Sequence, residues 1–300
     1  MNKKVFLEYT QKELDAEYDN RARVEDCQNF FVYYERESRA VRLEMPRFLD
    51  LSYGPGIRER LDVFPAPPGP GTTPVLIFIH GGYWKAFDKN SFSFVAGGFV
   101  PAGVTVVVIG YGLIPEIHMD ELVDQCRRAV AWTYRNAHSF GADQSRLFVA
   151  GHSAGGHLVG MILATDWQRF DGLPVDVIKG ACGISGIYDL EPIRLCYLNN
   201  DLHLNHEEAV RNSPVRIGPK CKANLLLAVG DQEGPEFLRQ SRDMAEAWRD
   251  QGCNATLKIL PDTHHFDIVA QLGSPQGELT RAIRDLIAGN GRQGIGPNAE

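Results

Sequence analysis

Residues 151–155 read Gly151-His152-Ser153-Ala154-Gly155 and directly follow the apolar run 147–150, Leu-Phe-Val-Ala. The G-x-S-x-G pattern is typical of a nucleophile elbow, a sharp strand-to-helix turn that exposes a serine hydroxyl above the edge of a sheet. Apolar residues at 158, 161 and 162 follow at helical spacing, so a strand precedes the pattern and a helix follows it. We therefore predict that Ser153 is a nucleophile, with an ordinary glycine turn as the alternative.

The composition limits the classes of function. The chain has 300 residues, 44% of them hydrophobic, and a net charge of -7, which argues against nucleic acid and against an anionic membrane surface as partners. Its first residues lack the long apolar stretch of a signal peptide, and no apolar run approaches the roughly 20 residues that span a bilayer. We expect a small-molecule substrate, and the sequence is compatible with a homodimer.

The six cysteines are scattered and form no C-x-x-C pair. This pattern indicates buried thiols in the reducing cytoplasm, with neither a disulfide framework nor a zinc site. His203 and His206 are the one candidate metal-binding pair, but no carboxylate pattern accompanies them, so we predict that they lie on the surface. We also predict that the protein uses no metal and no cofactor. The sequence favours a cytoplasmic enzyme.

Short β-branched or leucine-rich runs alternate with helical patterns along most of the chain. Runs that are apolar on both faces are typical of the central strands of a mostly parallel sheet with helices on both faces. The predicted strands span residues 75–79, 104–109, 147–150, 178–184, 225–229 and 256–260. Residues 59–64 alternate as a half-buried strand does.

The remaining segments complete a single predicted domain over residues 1–290. Residues 1–52 are expected to form a mainly helical N-terminal extension, with helix over most of 11–42. The less regular region 188–214 is predicted to be a small cap, and its stretch 195–206 to wall the substrate pocket. The glycine-rich tail, residues 291–300, is predicted to be disordered.

Attack by a serine requires a base and an acid that orients the base. The base is expected in the loop after the last strand, where His264 and His265 are adjacent; we favour His265, with His264 as the alternative. The acid is expected a few residues beyond strand 225–229, which favours Glu233 over the alternative Asp231. This order of serine, acid and histidine is the one that enzymes with such an elbow use.

Oxyanion donors are expected in the loop that follows strand 75–79. That loop reads His80-Gly81-Gly82-Tyr83-Trp84, and its glycines allow the backbone to approach a tetrahedral intermediate closely. The amide that follows the nucleophile, at Ala154, supplies a further donor. His80 is expected to brace the loop.

Together these motifs resemble the kynurenine formamidases (arylformamidases), a serine-dependent branch of the α/β hydrolases. The similarity runs from about residue 55 to 270 and includes the H-G-G-x-W motif at 80–84, the elbow, and the segments 111–115, 185–193, 211–214, 229–241 and 265–269. The resemblance implies the α/β-hydrolase fold, Glu233 three positions after the Val-Gly pair as the acid, and His265 before Phe266 as the base. By analogy with related H-G-G-G esterases, it implies an oxyanion hole of the amides of Gly82, Tyr83 and Ala154.

The resemblance also implies a reaction, the hydrolysis of N-formyl-L-kynurenine to kynurenine and formate in tryptophan catabolism, without a cofactor. Large aromatic residues near the hole are expected to limit the acyl group and to stack on an aryl leaving group; ordinary core packing is the alternative. These predicted substrate-binding residues are Tyr83, Trp84, Tyr111 and Tyr188. The alternative functions are a carboxylesterase or amidase for short-acyl or xenobiotic substrates and, more remotely, a non-catalytic binding protein with the same fold.

Overall fold

The computed structural model describes residues 3–289 and contains an eight-stranded sheet and a separate two-stranded hairpin. The sheet has the strand order β10-β9-β8-β7-β5-β6-β4-β3; β3, β4 and β6 pair antiparallel, and every other pairing is parallel. The strands are β1 Lys4–Phe6, β2 Tyr9–Thr10, β3 Phe48–Ser52, β4 Arg60–Phe64, β5 Thr73–Ile79, β6 Thr105–Ile109, β7 Ala142–His152, β8 Ile178–Ile184, β9 Asn224–Gly230 and β10 Ala255–Leu260.

Helices cover both faces of the sheet. Alternate residues of β5 contribute to two separate cores, because successive side chains of a strand point to opposite faces: Ile77 lies in one core and Phe78 in the other. The helices are α1 Gln11–Glu17, α2 Asn20–Arg23, α3 Cys27–Glu44, α4 Ala96–Phe99, α5 Met119–Asn136, α6 Ala154–Leu163, α7 Trp167–Asp171, α8 Glu191–Leu195, α9 Asn199–Leu202, α10 His206–Arg211, α11 Pro214–Ile217, α12 Pro235–Arg249, α13 Asp267–Ala270 and α14 Glu278–Gly289. The 3₁₀ segments in the described part of the chain are Lys89–Val95, Val100–Ala102, Ala137–Phe140 and Gln271–Gly273.

The mostly parallel sheet and the α/β-hydrolase fold predicted from the sequence are confirmed. Each predicted central strand is present with small shifts at its ends, except that β7 begins five residues early, at Ala142. The helical extension corresponds to α1, α2 and α3, while the hairpin β1–β2 and the edge strand β3 were not predicted. Region 188–214 contains short helices between β8 and β9. The predicted tail, residues 291–300, lies outside the described residues.

The strand predicted at residues 59–64 is present as β4, but the prediction that it is half-buried is wrong, because residues 61–64 are all buried. Asp62 of β4 is fully buried and accepts from Lys89 Nζ at 2.8 Å and from the Asp50 amide at 2.8 Å. Arg42 of α3 also pairs with the Asp62 carboxylate. The alternating pattern therefore reflects a buried ion cluster that fastens the N-terminal extension to the sheet.

Replacing Asp62 with asparagine should lower the free energy of unfolding by about 3–5 kcal/mol, since it leaves the buried Lys89 ammonium without its buried counter-charge. Asp50→Asn is the matched control, because that carboxylate also pairs with Lys89 but is 64% exposed. The control should cost about 1 kcal/mol or less. Urea unfolding of both variants measures the difference, and equal losses would contradict a special role for Asp62.

Within residues 3–289, no helix combines the length and the apolar content that crossing a lipid bilayer requires.

Candidate active site

Ser153 lies between the end of β7 and the start of α6, with φ 57° and ψ -119°. This left-handed conformation is costly for a serine, and such strain concentrates at functional sites. The Ser153 amide donates to the Ile184 carbonyl at 2.8 Å, which ties the turn to β8. The flanking glycines are required by close packing: a Cβ on Gly151 would lie 2.3 Å from the Gly155 carbonyl oxygen, and one on Gly155 would lie 2.1 Å from that of Ile79.

His265 and Glu233 face each other at the carboxyl ends of β10 and β9. His265 Nδ1 lies 2.7 Å from Glu233 Oε2, and both side chains are buried. The other carboxylate oxygen, Oε1, accepts from Ser185 Oγ at 2.6 Å and from the Gly230 amide at 2.8 Å. Because a carboxylate only accepts, this network places the imidazole proton on Nδ1 and leaves Nε2 free to accept one.

The two residues named as alternatives lie elsewhere. Asp231 is exposed, and its carboxylate contacts the Thr263 amide at 3.3 Å. His264 Nδ1 accepts from the amides of Phe266 and Asp267 at 3.1 and 3.2 Å, at the start of α13. The structure therefore brings Glu233, and not Asp231, to His265, which lines the cavity described below together with Ser153.

His152, at the first unspecified position of the G-x-S-x-G pattern, contacts His265 in a way that the sequence did not reveal. Its Nε2 lies 2.8 Å from the His265 carbonyl oxygen, and the two rings are 4.7 Å apart. Burial and the neighbouring His265 lower the pKa of His152 well below 6.5. The neutral His152 ring thus donates to the backbone of the His265 loop.

The loop after β5 lies against the elbow, since a Cβ on Gly81 would be 2.8 Å from the His152 carbonyl oxygen. Gly82, Tyr83 and Trp84 have positive φ of 112°, 48° and 58°, a run that directs successive amides away from regular pairing. Within residues 3–289, no carbonyl accepts from the amides of Gly82 or Tyr83. Ala154 lies in the first turn of α6, where amides have no intrahelical acceptor. These three predicted donors are therefore available to a ligand.

The two ends of the same loop, His80 and Trp84, are held against the core by hydrogen bonds. The Tyr111 hydroxyl donates to the His80 carbonyl at 2.7 Å, and the two rings stack 4.3 Å apart. Trp84 Nε1 donates to His157 Nδ1 at 3.1 Å, and His157 Nε2 lies 2.7 Å from the Asn212 carbonyl oxygen. His80 thus occupies the bracing position expected of it.

A cavity of about 500 Å³ opens above Ser153, within the size range of small-molecule sites. Ser153, His265 and His152 line it together with Gly81 and Gly82. Most of the remaining wall is aromatic, formed by Tyr18, Phe31, Tyr34, Tyr83, Phe87, Phe92, Tyr197 and Phe266. The cavity suits a planar aryl group held beside the serine.

The prediction that four aromatic residues line the substrate site is wrong for three of them. Tyr83 lines it, but Trp84, Tyr111 and Tyr188 are buried in the core and are absent from its wall. Trp84 and Tyr111 hold the loop as described, and Tyr188 packs against the backbone of Gly183 and Gly186. These three residues therefore pack in the core, as the alternative interpretation of the sequence proposed.

Much of the cavity wall comes from the N-terminal extension, which the sequence did not connect with the site. Phe31 and Tyr34 project from α3, and the Tyr34 hydroxyl donates to the Phe266 carbonyl beside His265. The Tyr83 hydroxyl donates to the Tyr18 carbonyl at 2.7 Å. The aromatic run at 30–34 was the available signal. Tyr197 and Leu198, from the stretch expected to wall the pocket, also line the cavity.

The pair His203 and His206 does not form a metal site. His206 Nδ1 lies 3.2 Å from Glu191 Oε2, with the histidine side chain 68% exposed. Among the residues that the structure describes, no group of three or more His, Cys, Asp or Glu side chains could hold a metal ion. The two histidines therefore lack the third ligand that a zinc site needs.

The buried histidines predict how stability depends on pH. Burial lowers the pKa of His80 and of His157 from 6.5 to about 4, and His152 shifts in the same direction. The unfolded chain therefore takes up protons first, so stability falls as the pH drops from about 6.5 toward 4. For His80 and His157 the loss is about 2 kcal/mol each at pH 5.

Urea unfolding at pH 7.5 and at pH 5 measures this loss. In His157→Gln, whose amide can still accept from Trp84 and donate to the Asn212 carbonyl, the loss between the two pH values should be about 2 kcal/mol smaller. Equal stability of the unmodified chain at both pH values would contradict the burial of neutral histidines.

The chain is similar in sequence and in fold to known proteins. The BD-FAE family model matches residues 61–215. The kynurenine formamidase of Salmo salar is 39% identical over 245 residues, which cover 80% of this chain and 81% of that protein; that of Danio rerio is 36% identical over 244 residues with the same coverage. The crystal structure of a candidate thioesterase from Silicibacter sp. tm1040 superposes with a TM-score of 0.82 and 31% identity, covering 91% of this chain and 99% of that one.

Proposed function

The chain belongs to the kynurenine formamidase family of α/β hydrolases, and from this premise we propose that it hydrolyses N-formyl-L-kynurenine to kynurenine and formate through a formyl-serine intermediate. The observation that carries the proposal is the 2.7 Å contact between His265 and Glu233 beside a strained serine in an aromatic cavity. Ser153 is the nucleophile, His265 the base and Glu233 the residue that orients the base. No metal or cofactor takes part.

In the first half of the reaction, Ser153 Oγ attacks the formyl carbon while His265 Nε2 accepts the hydroxyl proton. The amides of Gly82, Tyr83 and Ala154 donate to the oxyanion of the tetrahedral intermediate. As the C–N bond breaks, protonated His265 gives its proton to the aniline nitrogen. Kynurenine leaves, and the formyl group stays on Ser153 as an ester.

In the second half, His265 Nε2 accepts a proton from water, and the resulting hydroxide attacks the formyl ester. The second tetrahedral intermediate uses the same three amides. Its collapse transfers the proton from His265 to Ser153 Oγ and releases formic acid, which loses its remaining proton to water and becomes formate. Throughout both halves, Glu233 holds the imidazole in one tautomer and stabilises its cationic form.

A short-acyl carboxylesterase is the second candidate, because the same triad attacks esters and the fold does not determine the substrate. The feature in its favour is that Ser153, His265 and Glu233 would act on the acyl group, which an ester and a formamide share. A binding protein without activity is not favoured, since the chain retains Ser153, His265 and Glu233, and the last two are in contact.

The experiment that separates these functions compares kcat/KM for N-formyl-L-kynurenine with kcat/KM for p-nitrophenyl acetate. The formamide is expected to be the better substrate by at least tenfold, even though its aniline is a poorer leaving group than nitrophenolate. Rapid ester hydrolysis with poor turnover of the formamide would reject the kynurenine assignment in favour of the esterase.

The proposal also includes a cellular compartment and the binding partners. The six cysteines, all within the described residues, form no disulfides, which fits a reducing compartment such as the cytoplasm. The substrate is a small molecule, and neither nucleic acid nor a membrane surface is a proposed partner. A homodimer remains compatible with the chain.

A further inference from the structure

Three charged residues, besides the histidines, line the cavity above Ser153: Asp19, Arg21 and Lys85. Lys85 already forms an ion pair with Asp201. Among residues 3–289, Arg21 has no carboxylate partner and Asp19 no cationic one. The cavity wall therefore offers one free positive and one free negative side chain, two positions apart in the sequence.

Both side chains are held in place by neighbouring groups. The Arg21 guanidinium carbon lies 5.3 Å from the centroid of the Phe31 ring, itself part of the cavity wall. Asp19 precedes α2 and accepts from the Ala22 amide through Oδ1 at 3.1 Å, which leaves Oδ2 available. A cation stacked on an aromatic ring and a carboxylate fixed by a helix cap lose little freedom when they bind a ligand.

The position of the two charges relative to Ser153 sets the shape of the ligand. Ser153 and His265 are buried at 3% and 4% exposure, whereas Arg21 is exposed and Asp19 half-buried. The reacting acyl group must thus lie deep in the cavity and a charged group near its mouth, with the aromatic wall between them.

We propose that Asp19 and Arg21 form a subsite for the zwitterionic α-amino acid end of the substrate. Arg21 binds the carboxylate through its planar guanidinium, and Asp19 Oδ2 accepts from the ammonium. The aryl formamide then extends past Phe31 toward Ser153. This inference rests on the proposed function, and it makes a free amino acid end part of what the enzyme selects.

The test measures kcat/KM for N-formyl-L-kynurenine and for 2′-formamidoacetophenone, the same aryl formamide without the amino acid end. The ratio of interest is kcat/KM for N-formyl-L-kynurenine divided by kcat/KM for 2′-formamidoacetophenone. Arg21→Gln should lower this ratio about tenfold, mainly through a higher KM for the zwitterion, because a charge-assisted hydrogen bond is lost. Asp19→Asn keeps the helix cap and should lower the ratio by a smaller factor. Arg21→Lys should restore part of the loss.

Arg36→Gln is the matched control, since Arg36 also lies over an aromatic ring, 5.6 Å from the Tyr33 centroid, but does not line the cavity. Its ratio should equal that of the unmodified enzyme. An unchanged ratio in Arg21→Gln, or an equal fall in Arg36→Gln, would overturn the subsite. Efficient hydrolysis of both formamides with equal kcat/KM would overturn the subsite and leave the proposed function intact, whereas hydrolysis of neither would overturn both.

Discussion

Replacing Ser153 with alanine should lower kcat by about 10⁵- to 10⁶-fold, for the formamide and for the ester alike. The loss is this large because Ser153 is the proposed nucleophile and, within the described residues, it is the one residue between β7 and α6. The melting temperature should change by no more than about 3 °C, since only one oxygen atom is removed. Steady-state kinetics with calorimetric melting measures both quantities.

Ser93→Ala is the matched control for that variant. Ser93 is fully buried, and its hydroxyl has no hydrogen-bond partner within the described part of the chain, but it lies outside the cavity. This control should retain the kcat of the unmodified enzyme within about twofold. If Ser153→Ala keeps more than a few per cent of the activity, Ser153 is not the nucleophile.

Glu233→Gln should lower kcat by about 10³- to 10⁴-fold. The glutamine amide can present an N–H group to His265 Nδ1, which would favour the tautomer with its proton on Nε2 and so remove the acceptor that Ser153 needs. It also removes the charge that stabilises the imidazolium. Measuring kcat across pH 6–9 separates this loss from a shift in the pH optimum.

Asp231→Asn is the control for the acid, because Asp231 is a carboxylate of the same loop that faces solvent. Its kcat should stay within about twofold of the unmodified enzyme. The opposite ranking, with Asp231→Asn severely impaired and Glu233→Gln active, would move the orienting role to Asp231.

The sheet and the elbow could be predicted because local sequence determines them. Strands buried on both faces are continuous apolar runs, and β5 and β9 match this pattern nearly to their ends. The elbow requires glycine where backbone atoms approach within a few ångströms, so Gly151 and Gly155 mark it in the sequence. The family resemblance, which the comparisons confirm, then selected Glu233 and His265 from their neighbours.

Tyr83 and the stretch that contains Tyr197 and Leu198 were expected at the cavity, but the rest of its wall could not be predicted, because contacts between distant segments determine it. Tyr18 and Tyr83 are hydrogen-bonded partners 65 residues apart, and nothing in either local sequence indicates the other. The same limit explains the three misplaced aromatic residues, since a large ring beside a functional loop fits a pocket wall or a core equally well. Asp62 likewise looked like a solvent-facing residue because its cationic partners are 20 and 27 residues away.

The most direct test of the account is to react the enzyme with an aryl fluorophosphonate and to locate the adduct by peptide mass spectrometry. Because Ser153 is proposed to be activated by His265 and to face the oxyanion donors, the reagent should modify one site, the peptide containing residues 151–155. Activity should disappear in proportion to that adduct, and Ser153→Ala should not be labelled. An adduct on another residue that accompanies the loss of activity, or full activity in the fully labelled protein, would contradict the account.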